Sequence, residues 1–298
     1  MVQQHSFEVL IAIYLFLAGV GAGAILSAVA LDMYDRKRFI NYIKAASLLG
    51  MPLVSIGCGF LVLDLGQGLT KPWLLIFLFM NPTSVITWGT AILTVFIIFA
   101  TVYAVYNFNI LKLAAKLQCL LRPMQILLII FAIGTAGYTA VLLGSLKAIP
   151  LWNQTALPVL FIVSALSTGV AATLIVSALF FKAEKDPLFG TLHIGLIALE
   201  LLILAGFILI ALNGVPELVY AVKLLVVGPY AKMFWGVLIV AGLIVPLIVT
   251  VMESRHAVHL GFLGILLAEG LTLLGGFYLR YLILHAGTYI DKFAGFIL

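Results

Sequence analysis

Three polar side chains in this mostly apolar chain could take part in proton and hydrogen-bond chemistry. Asp64 closes an apolar run, where its carboxylate could accept or deliver a proton. Tyr138 carries a phenol that could donate a hydrogen bond to a carbonyl oxygen. Arg280 could pair with an acid, and Asp64 is the candidate. The structural alternatives are an acid that reaches water, an interfacial tyrosine and an arginine that extends to the surface.

Two further carboxyl groups lie near the middle of long apolar runs. Glu200 and Glu269 are each far from the ends of their runs. An ionisable group at this depth in a membrane is expensive, so it typically marks a pathway or a paired site. We expect a proton route through these residues. The alternative is a carboxyl that stays protonated and hydrogen-bonds a neighbouring helix.

The composition predicts an all-α, polytopic membrane protein. The chain has 298 residues, of which 64% are hydrophobic and 9% are charged, whereas an ordinary soluble protein has about 25% charged residues. The net charge of +5 is therefore interpreted as membrane topology and not as nucleic-acid binding. The two cysteines, Cys58 and Cys119, lack the CxxC spacing of an iron–sulfur or zinc site.

Eight apolar runs are long enough to cross a bilayer, and the absence of water there requires them to be helices. They are Val9–Leu31, Ala45–Leu63, Val85–Tyr106, Met124–Leu146, Leu157–Phe181, Leu192–Leu212, Phe234–Met252 and Val258–Leu284. A ninth stretch, Leu218–Val227, is too short and predicts an interfacial or re-entrant helix.

The distribution of basic residues predicts the orientation of the protein. With eight crossings, ten of the 16 Lys and Arg fall on the side of the odd-numbered loops, which are therefore expected to be cytoplasmic, with both termini outside. The outer leaflet would then hold Asp64 to Trp88, the loop Pro150 to Asn153, Tyr14, Tyr138 and Arg280.

Two stretches hint at an internal repeat. LFLAGVGAG begins at Leu15 and LFIVSALSTG begins at Leu160. They are consistent with two related four-helix bundles, residues 1–146 and 147–298, within a single membrane domain. Generic small-residue faces for close helix packing are the alternative.

An ordered set of short motifs resembles the NrfD/PsrC family, the membrane subunits of polysulfide reductase-like respiratory complexes. The motifs are YLFLAGVGAGA at Tyr14, LVLDLGQG at Leu61, NPTSVITWG at Asn81, GYTAVLLG at Gly137, PLWNQTALPVLF at Pro150, ALELLIL around Glu200 and GGFYLRYLILHAG at Gly275.

This resemblance implies a subunit in the cytoplasmic (inner) membrane that binds menaquinone or ubiquinone near the outer face and has no cofactor of its own. Electrons would pass between the quinone and a ferredoxin-like iron–sulfur subunit docked on the outer face, beside a molybdopterin catalytic subunit. Asp64, Tyr138 and Arg280 would be the reactive groups, with Arg280 supporting the acid. The quinone head group would lie among Tyr14, Tyr138, Asp64, Trp88 and Asn153.

Haem is not expected, since axial ligation needs facing histidines inside the bundle and the five histidines lie at or near the ends of the apolar runs. Of these, His193 and His259 could approach one another.

A secondary transporter and a purely structural anchor are the competing functions. A transporter would favour a site at the midplane on broken helices, and no run has a clear central break. The terminal substrate would be chosen by another subunit.

Overall fold

A computed structural model describes residues 2–3, 9–64, 83–109, 120–181, 186–254 and 262–289, and the all-α membrane fold is confirmed. The helices are α1 (Val9–Asp64), α2 (Val85–Asn107), α3 (Leu121–Gly144), α4 (Ala156–Phe180), α5 (Pro187–Leu212), α6 (Pro216–Val226), α7 (Met233–Ile244, π-helical), α8 (Val245–Ser254) and α9 (Phe262–His285). Two short strands, β1 (Val2–Gln3) and β2 (Thr288–Tyr289), pair antiparallel.

Helix α1 is a hairpin of two long arms. Its 56 residues would extend about 84 Å as one straight helix, far more than the ~30 Å hydrocarbon core. Asp35 and Phe39 have non-helical backbone angles, which break the helix. On either side of this break the arms run antiparallel, because Gly57 lies against Tyr14 and Gly50 lies against Ile25. The two arms correspond to the first two predicted runs.

The described part of the protein contains seven helical segments long and apolar enough to cross a membrane, with α1 counted once. With its two arms counted separately, the described residues contain eight such segments, but the number of crossings and the side on which the termini lie stay predictions. The pairing of β1 with β2 brings the two ends of the described chain together.

The helix at Pro187 starts five residues before the predicted run. Asp186 caps it by accepting a hydrogen bond from the backbone N–H of Leu188 at 2.9 Å, and proline is favoured at the first helical position. Arg38, in the break of α1, donates two hydrogen bonds to the Asp186 carboxylate at 2.7 and 2.8 Å. Although partial burial raises the pKa of Asp186, these bonds hold it below the ordinary value. This exposed pair ties the turn of α1 to the start of α5.

The short predicted stretch forms α6, which has 11 residues and is too short to span. It buries one face, Leu218, Ala221, Val222 and Leu225, against the bundle. The backbone oxygen of Glu217 accepts a hydrogen bond from Thr288 in β2, so α6 lies at the end of the bundle that holds the two strands.

The span formed by α7 and α8 is irregular, which the sequence did not predict. Its first part is π-helical up to Ile244, and Pro246 lies just beyond. Proline lacks the N–H that would bond the carbonyl four residues earlier, and π-type turns often accompany such local defects. Gly242 meets Gly275 of α9 backbone to backbone. The helix nevertheless continues without interruption from Met233 to Ser254.

A very close helix crossing joins the first arm of α1 to α4. A Cβ atom at Gly23 would overlap the backbone of Ala165, and one at Gly169 would overlap the backbone of Gly23. The two similar stretches seen in the sequence therefore pack on each other, as small residues permit. The division into two four-helix halves stays a prediction.

We expect Gly23→Ala to destabilise the bundle by roughly 1–3 kcal/mol, the usual cost of overpacking, because two backbones must separate. Gly206→Ala is the control, since a Cβ there meets open space. Thermal unfolding of the purified protein in detergent measures both. Equal midpoints for the two variants would contradict the crossing.

Candidate functional site

A lateral cavity of about 490 Å³ opens between α2 and α3. Its lining is almost entirely apolar, with one phenol: Val85, Trp88, Ile92, Ile133, Gly134, Gly137, Tyr138, Val141 and Ile162. Trp88 is 63% exposed on the rim, on a surface that lipid would cover. The cavity is therefore accessible from the bilayer, and two of the predicted site residues, Tyr138 and Trp88, line it.

The position of the Tyr138 ring depends on a glycine in α2. Tyr138 is only 6% exposed. A Cβ atom at Gly89 would overlap its ring and hydroxyl. Gly89 therefore provides the space that lets the ring lie against α2, at the inner wall of the cavity.

A second cavity of about 300 Å³ adjoins the first, since Val85 and Val141 line both. We name the two together the groove. The second cavity is more polar and lies where α3 ends and α4 begins. It is lined by Val85, Ala140, Val141, Gly144, Ser145, Trp152, Asn153, Gln154, Thr155 and Pro158.

Three consecutive residues of this second cavity differ in their contacts. The Trp152 indole is buried and donates a hydrogen bond to the backbone oxygen of Ile283 in α9 at 2.9 Å. Asn153, the predicted ligand residue, is exposed and donates to Leu146 at 3.4 Å. Both amide atoms of Gln154 are buried and have no hydrogen-bond partner among the described residues. Gln154 lies in the motif PLWNQTALPVLF that begins at Pro150, but the sequence analysis selected Asn153 from this motif.

Tyr14 lies behind the groove and does not line either cavity. It is fully buried, and in the part of the chain that the structure describes its hydroxyl has no hydrogen-bond partner. It is close enough to Tyr138 and Cys58 to interact with them electrostatically. The structure therefore brings the two predicted tyrosines together, with only Tyr138 facing the cavity.

Arg280 is fully buried between three helices and does not extend to the surface. It donates hydrogen bonds to the backbone oxygens of Leu15 and Gly276, at 3.1 and 2.7 Å, and to the Ser164 hydroxyl at 3.2 Å. Its guanidinium also lies 5.2 Å from the centre of the Phe161 ring, an attractive cation–π distance. The expected pairing with Asp64 stays a prediction, because the Asp64 side chain and residues 65–82 lie outside the described part.

The two predicted proton-pathway residues belong to one buried column of polar groups. Glu200 is buried and lies near Ser164, Ser167 and the guanidinium of Arg280. Glu269 is fully buried, and its carboxylate oxygen lies 3.1 Å from Nδ1 of His193, although the orientation forms no directed hydrogen bond.

His193 was missed as a member of this column. The sequence placed it near the end of a run, but α5 begins earlier than predicted and puts it one to two turns inside the helix. It precedes Glu200 by seven residues, so both side chains project from one face of α5, about 10 Å apart along the axis. This seven-residue spacing is the feature of the sequence that could have identified His193 as a neighbour of Glu200.

A separate polar network was also missed, at the opposite end of the bundle from the groove. Asp32 accepts hydrogen bonds from Tyr103 at 2.7 Å, Gln125 at 2.8 Å and Arg36 at 2.6 Å. Arg36 also donates to Asn107 at 2.8 Å. The sequence could have predicted part of this network, because Asp32 and Arg36 are four residues apart and therefore lie on one helix face. The Asp32 carboxylate is matched by three donors, which is typical of a structural clamp, here of α1, α2 and α3.

The fold and the groove define a multi-pass integral membrane protein with a cavity on its lipid-facing surface. Among the described residues there is no cluster of three or more metal-ligating side chains. The sequence profile of the family "Polysulphide reductase, NrfD" matches residues 1–290, and the protein belongs to this family.

Named relatives agree with this assignment. The sequence is 32% identical to the C subunit of polysulfide reductase from Wolinella succinogenes, over 93% of this protein and 92% of that one. It is 27% identical to the NrfD homologue of Haemophilus influenzae, with the same coverage. A more distant relative, at 23% identity over 78% of this protein and 59% of that one, is the integral membrane subunit of an Hdr-like menaquinol oxidoreductase from Archaeoglobus fulgidus.

Gly89→Ala should displace the Tyr138 ring and cost roughly 1–3 kcal/mol of stability. In the background of Tyr138→Ala the same change should cost much less, because the obstructing ring is gone. A double-mutant cycle of thermal unfolding measures this coupling. Gly59→Ala, where a Cβ meets nothing, is the control. Additive effects would show that Gly89 does not position Tyr138.

Proposed function

We propose that this protein is the quinone-binding membrane subunit of a respiratory oxidoreductase in the cytoplasmic membrane. It exchanges electrons between a membrane quinone and an iron–sulfur partner subunit. The observation that carries the proposal is the lateral groove with the Tyr138 phenol in its wall, in a member of the NrfD family.

The groove suits a quinone in size, polarity and access. Its larger cavity, about 490 Å³, is within the usual range of small-molecule sites, which are mostly apolar with a few placed polar groups. A quinone reaches its site through the bilayer, and Trp88 marks an opening on the lipid-facing surface. The relative from Archaeoglobus fulgidus is named as part of a menaquinol oxidoreductase, which favours the same ligand class.

The electron-transfer partner is proposed to dock at the groove end of the bundle. The loop with Trp152 and Asn153 borders the groove there, and Asn153 is exposed. A ferredoxin-like iron–sulfur subunit at this loop would lie near the quinone, with a molybdopterin subunit beyond it. Co-purification of those subunits and of quinone distinguishes this function from a transporter or a structural anchor.

Tyr138→Phe removes the phenol hydroxyl but keeps the ring against Gly89. If the hydroxyl donates to a quinone oxygen, kcat/KM for quinol should fall about tenfold, because the binding free energy of one hydrogen bond is lost. Steady-state oxidation of a short-chain quinol by the purified complex measures it.

Tyr220→Phe is the control for that experiment, since Tyr220 is exposed on α6, away from the groove. A wild-type complex that neither contains nor oxidises quinol would reject the proposed function. Unchanged kinetics in Tyr138→Phe would reject only the role of the phenol.

We further propose that the buried column carries protons between the opposite face and the groove. Its members are Glu269, His193 and Glu200, followed by Ser164 beside Arg280. Quinol oxidation releases protons together with electrons, so a site buried from water needs a proton path. Isolated carboxyl groups at such depth are costly unless paired or functional.

Glu200→Gln and Glu269→Gln keep the shape of the column and remove its two carboxyl groups. Each should lower quinol turnover by roughly tenfold or more, because proton transfer through the column is interrupted. Glu217→Gln, at a partly exposed position of α6, is the control. Full turnover and undiminished proton movement in reconstituted vesicles in both variants would exclude the route.

A further inference from the structure

The least satisfied pair of polar side chains in the described residues is His193 and Glu269. Both are fully buried, and Nδ1 of His193 lies 3.1 Å from a carboxylate oxygen of Glu269. Ten buried side-chain atoms have no hydrogen-bond partner among the described residues, and four of them belong to this pair, namely both ring nitrogens and both carboxylate oxygens. Buried polar groups are rarely left in this state unless they bind water or an ion or take part in chemistry. Packing alone therefore does not account for the pair.

The His193 ring is suited to exchange protons in two directions. Imidazole gains and loses a proton near neutral pH more readily than other side chains, and it has two distinct nitrogens. Nδ1 lies against Glu269, which leaves Nε2 for a second partner. When Nε2 takes up a proton, an N–H bond forms there and Nδ1–H can break. The Nδ1 proton then forms an O–H bond on the Glu269 carboxylate, and the reverse transfer uses the same atoms.

A polar stripe on α8 leads from the protein surface toward this pair. Gly190 of α5 packs against α8, where a Cβ atom on Gly190 would lie 2.9 Å from the Ser254 hydroxyl and 3.9 Å from the Thr250 methyl group. Ser254 is exposed and donates a hydrogen bond to the backbone oxygen of Thr250, which is buried one turn earlier. His193 follows Gly190 by one turn, ~4.5 Å along the axis. Because α5 begins where α8 ends, the buried end of the stripe and His193 lie at a similar depth.

We propose that His193 exchanges protons with water at the end of the bundle opposite the groove, by way of the contact between Gly190 and Ser254, and passes them to and from Glu269. This inference rests on the proposed proton column and assigns its entrance and the residue that operates there. The missing side chain at Gly190 leaves the Ser254 hydroxyl beside the backbone of α5, one turn from the imidazole. Glu200 comes later on the route, since it lies ~10 Å further along α5.

His193→Gln keeps a hydrogen-bonding side chain of similar length that cannot carry a proton. Quinol turnover and proton movement in reconstituted vesicles should both fall roughly tenfold or more, because transfer between water and Glu269 is interrupted. His193→Ala should show the same loss, and added imidazole should restore turnover severalfold, since the free base can occupy the space of the missing ring. Imidazole should not restore Glu269→Gln, which is the control for this rescue.

The entrance is tested separately by chemical labelling. In a background with Cys58 and Cys119 replaced by alanine, Ser254→Cys should react with a charged methanethiosulfonate reagent. The modification should lower quinol turnover severalfold, because a bulky charged group then occupies the entrance. Lys37→Cys is the matched control, since Lys37 is exposed in the break of α1 at the same end of the bundle, and its modification should leave turnover unchanged.

Each part of the inference can fail on its own. Full turnover of His193→Gln, or a loss in His193→Ala that imidazole does not reverse, would overturn the role of His193. A Ser254→Cys thiol that does not react, or that keeps full turnover once modified, would overturn the entrance. In either case the column stands if Glu200→Gln and Glu269→Gln still slow turnover. A wild-type complex that oxidises no quinol would reject the proposed function itself.

Discussion

The buried guanidinium of Arg280 is the interaction around which the helices are arranged. A charged group in an apolar bundle is costly unless hydrogen bonds or opposite charges compensate for its burial. Through Nε and Nη1, Arg280 donates to α1, to α4 and to its own helix, so it links three elements, whereas Nη2 has no hydrogen-bond partner among the described residues. Gly19 leaves the space for its Nη2 atom, and Gly276 is beside its Nη1 atom. The small residues of α1 therefore serve two purposes, close backbone packing and accommodation of a charge.

Buried polar groups of the described residues are of two kinds. Around Asp32 the buried charge is matched by hydrogen bonds, which gives a structural clamp. Elsewhere, buried polar atoms of Tyr14, Gln154, His193 and Glu269 have no hydrogen-bond partner among the described residues. Unsatisfied groups cost stability and are typically retained where a ligand or a proton must be bound.

Much of the fold was predictable because membrane composition leaves few alternatives. Long apolar runs must be helices, and the boundaries of α2, α3 and α4 fall within a few residues of the predicted ones. The turn of α1 was placed correctly between its two apolar runs. The π-helical stretch before Pro246 was not predicted, because it depends on contact with Gly275 of another helix as well as on local sequence.

The candidate site was predicted less completely, since lining a cavity is a property of tertiary packing. Tyr138 and Trp88 line the groove, and both were predicted site residues from their positions in the apolar runs. Glu269 is buried, as its position near the middle of a run predicted. Hydropathy cannot show which of two adjacent amides, Asn153 or Gln154, turns inward. Nor could it identify His193 as the partner of Glu269, because that contact joins two helices distant in the sequence.

The hydrogen bond from the Trp152 indole to Ile283 has a mechanical consequence. Ile283 lies three residues after Arg280, which is within one helical turn. The loop that borders the groove is therefore attached directly to the turn of α9 that carries the buried charge. A displacement of this loop would therefore also displace the part of α9 that carries the guanidinium.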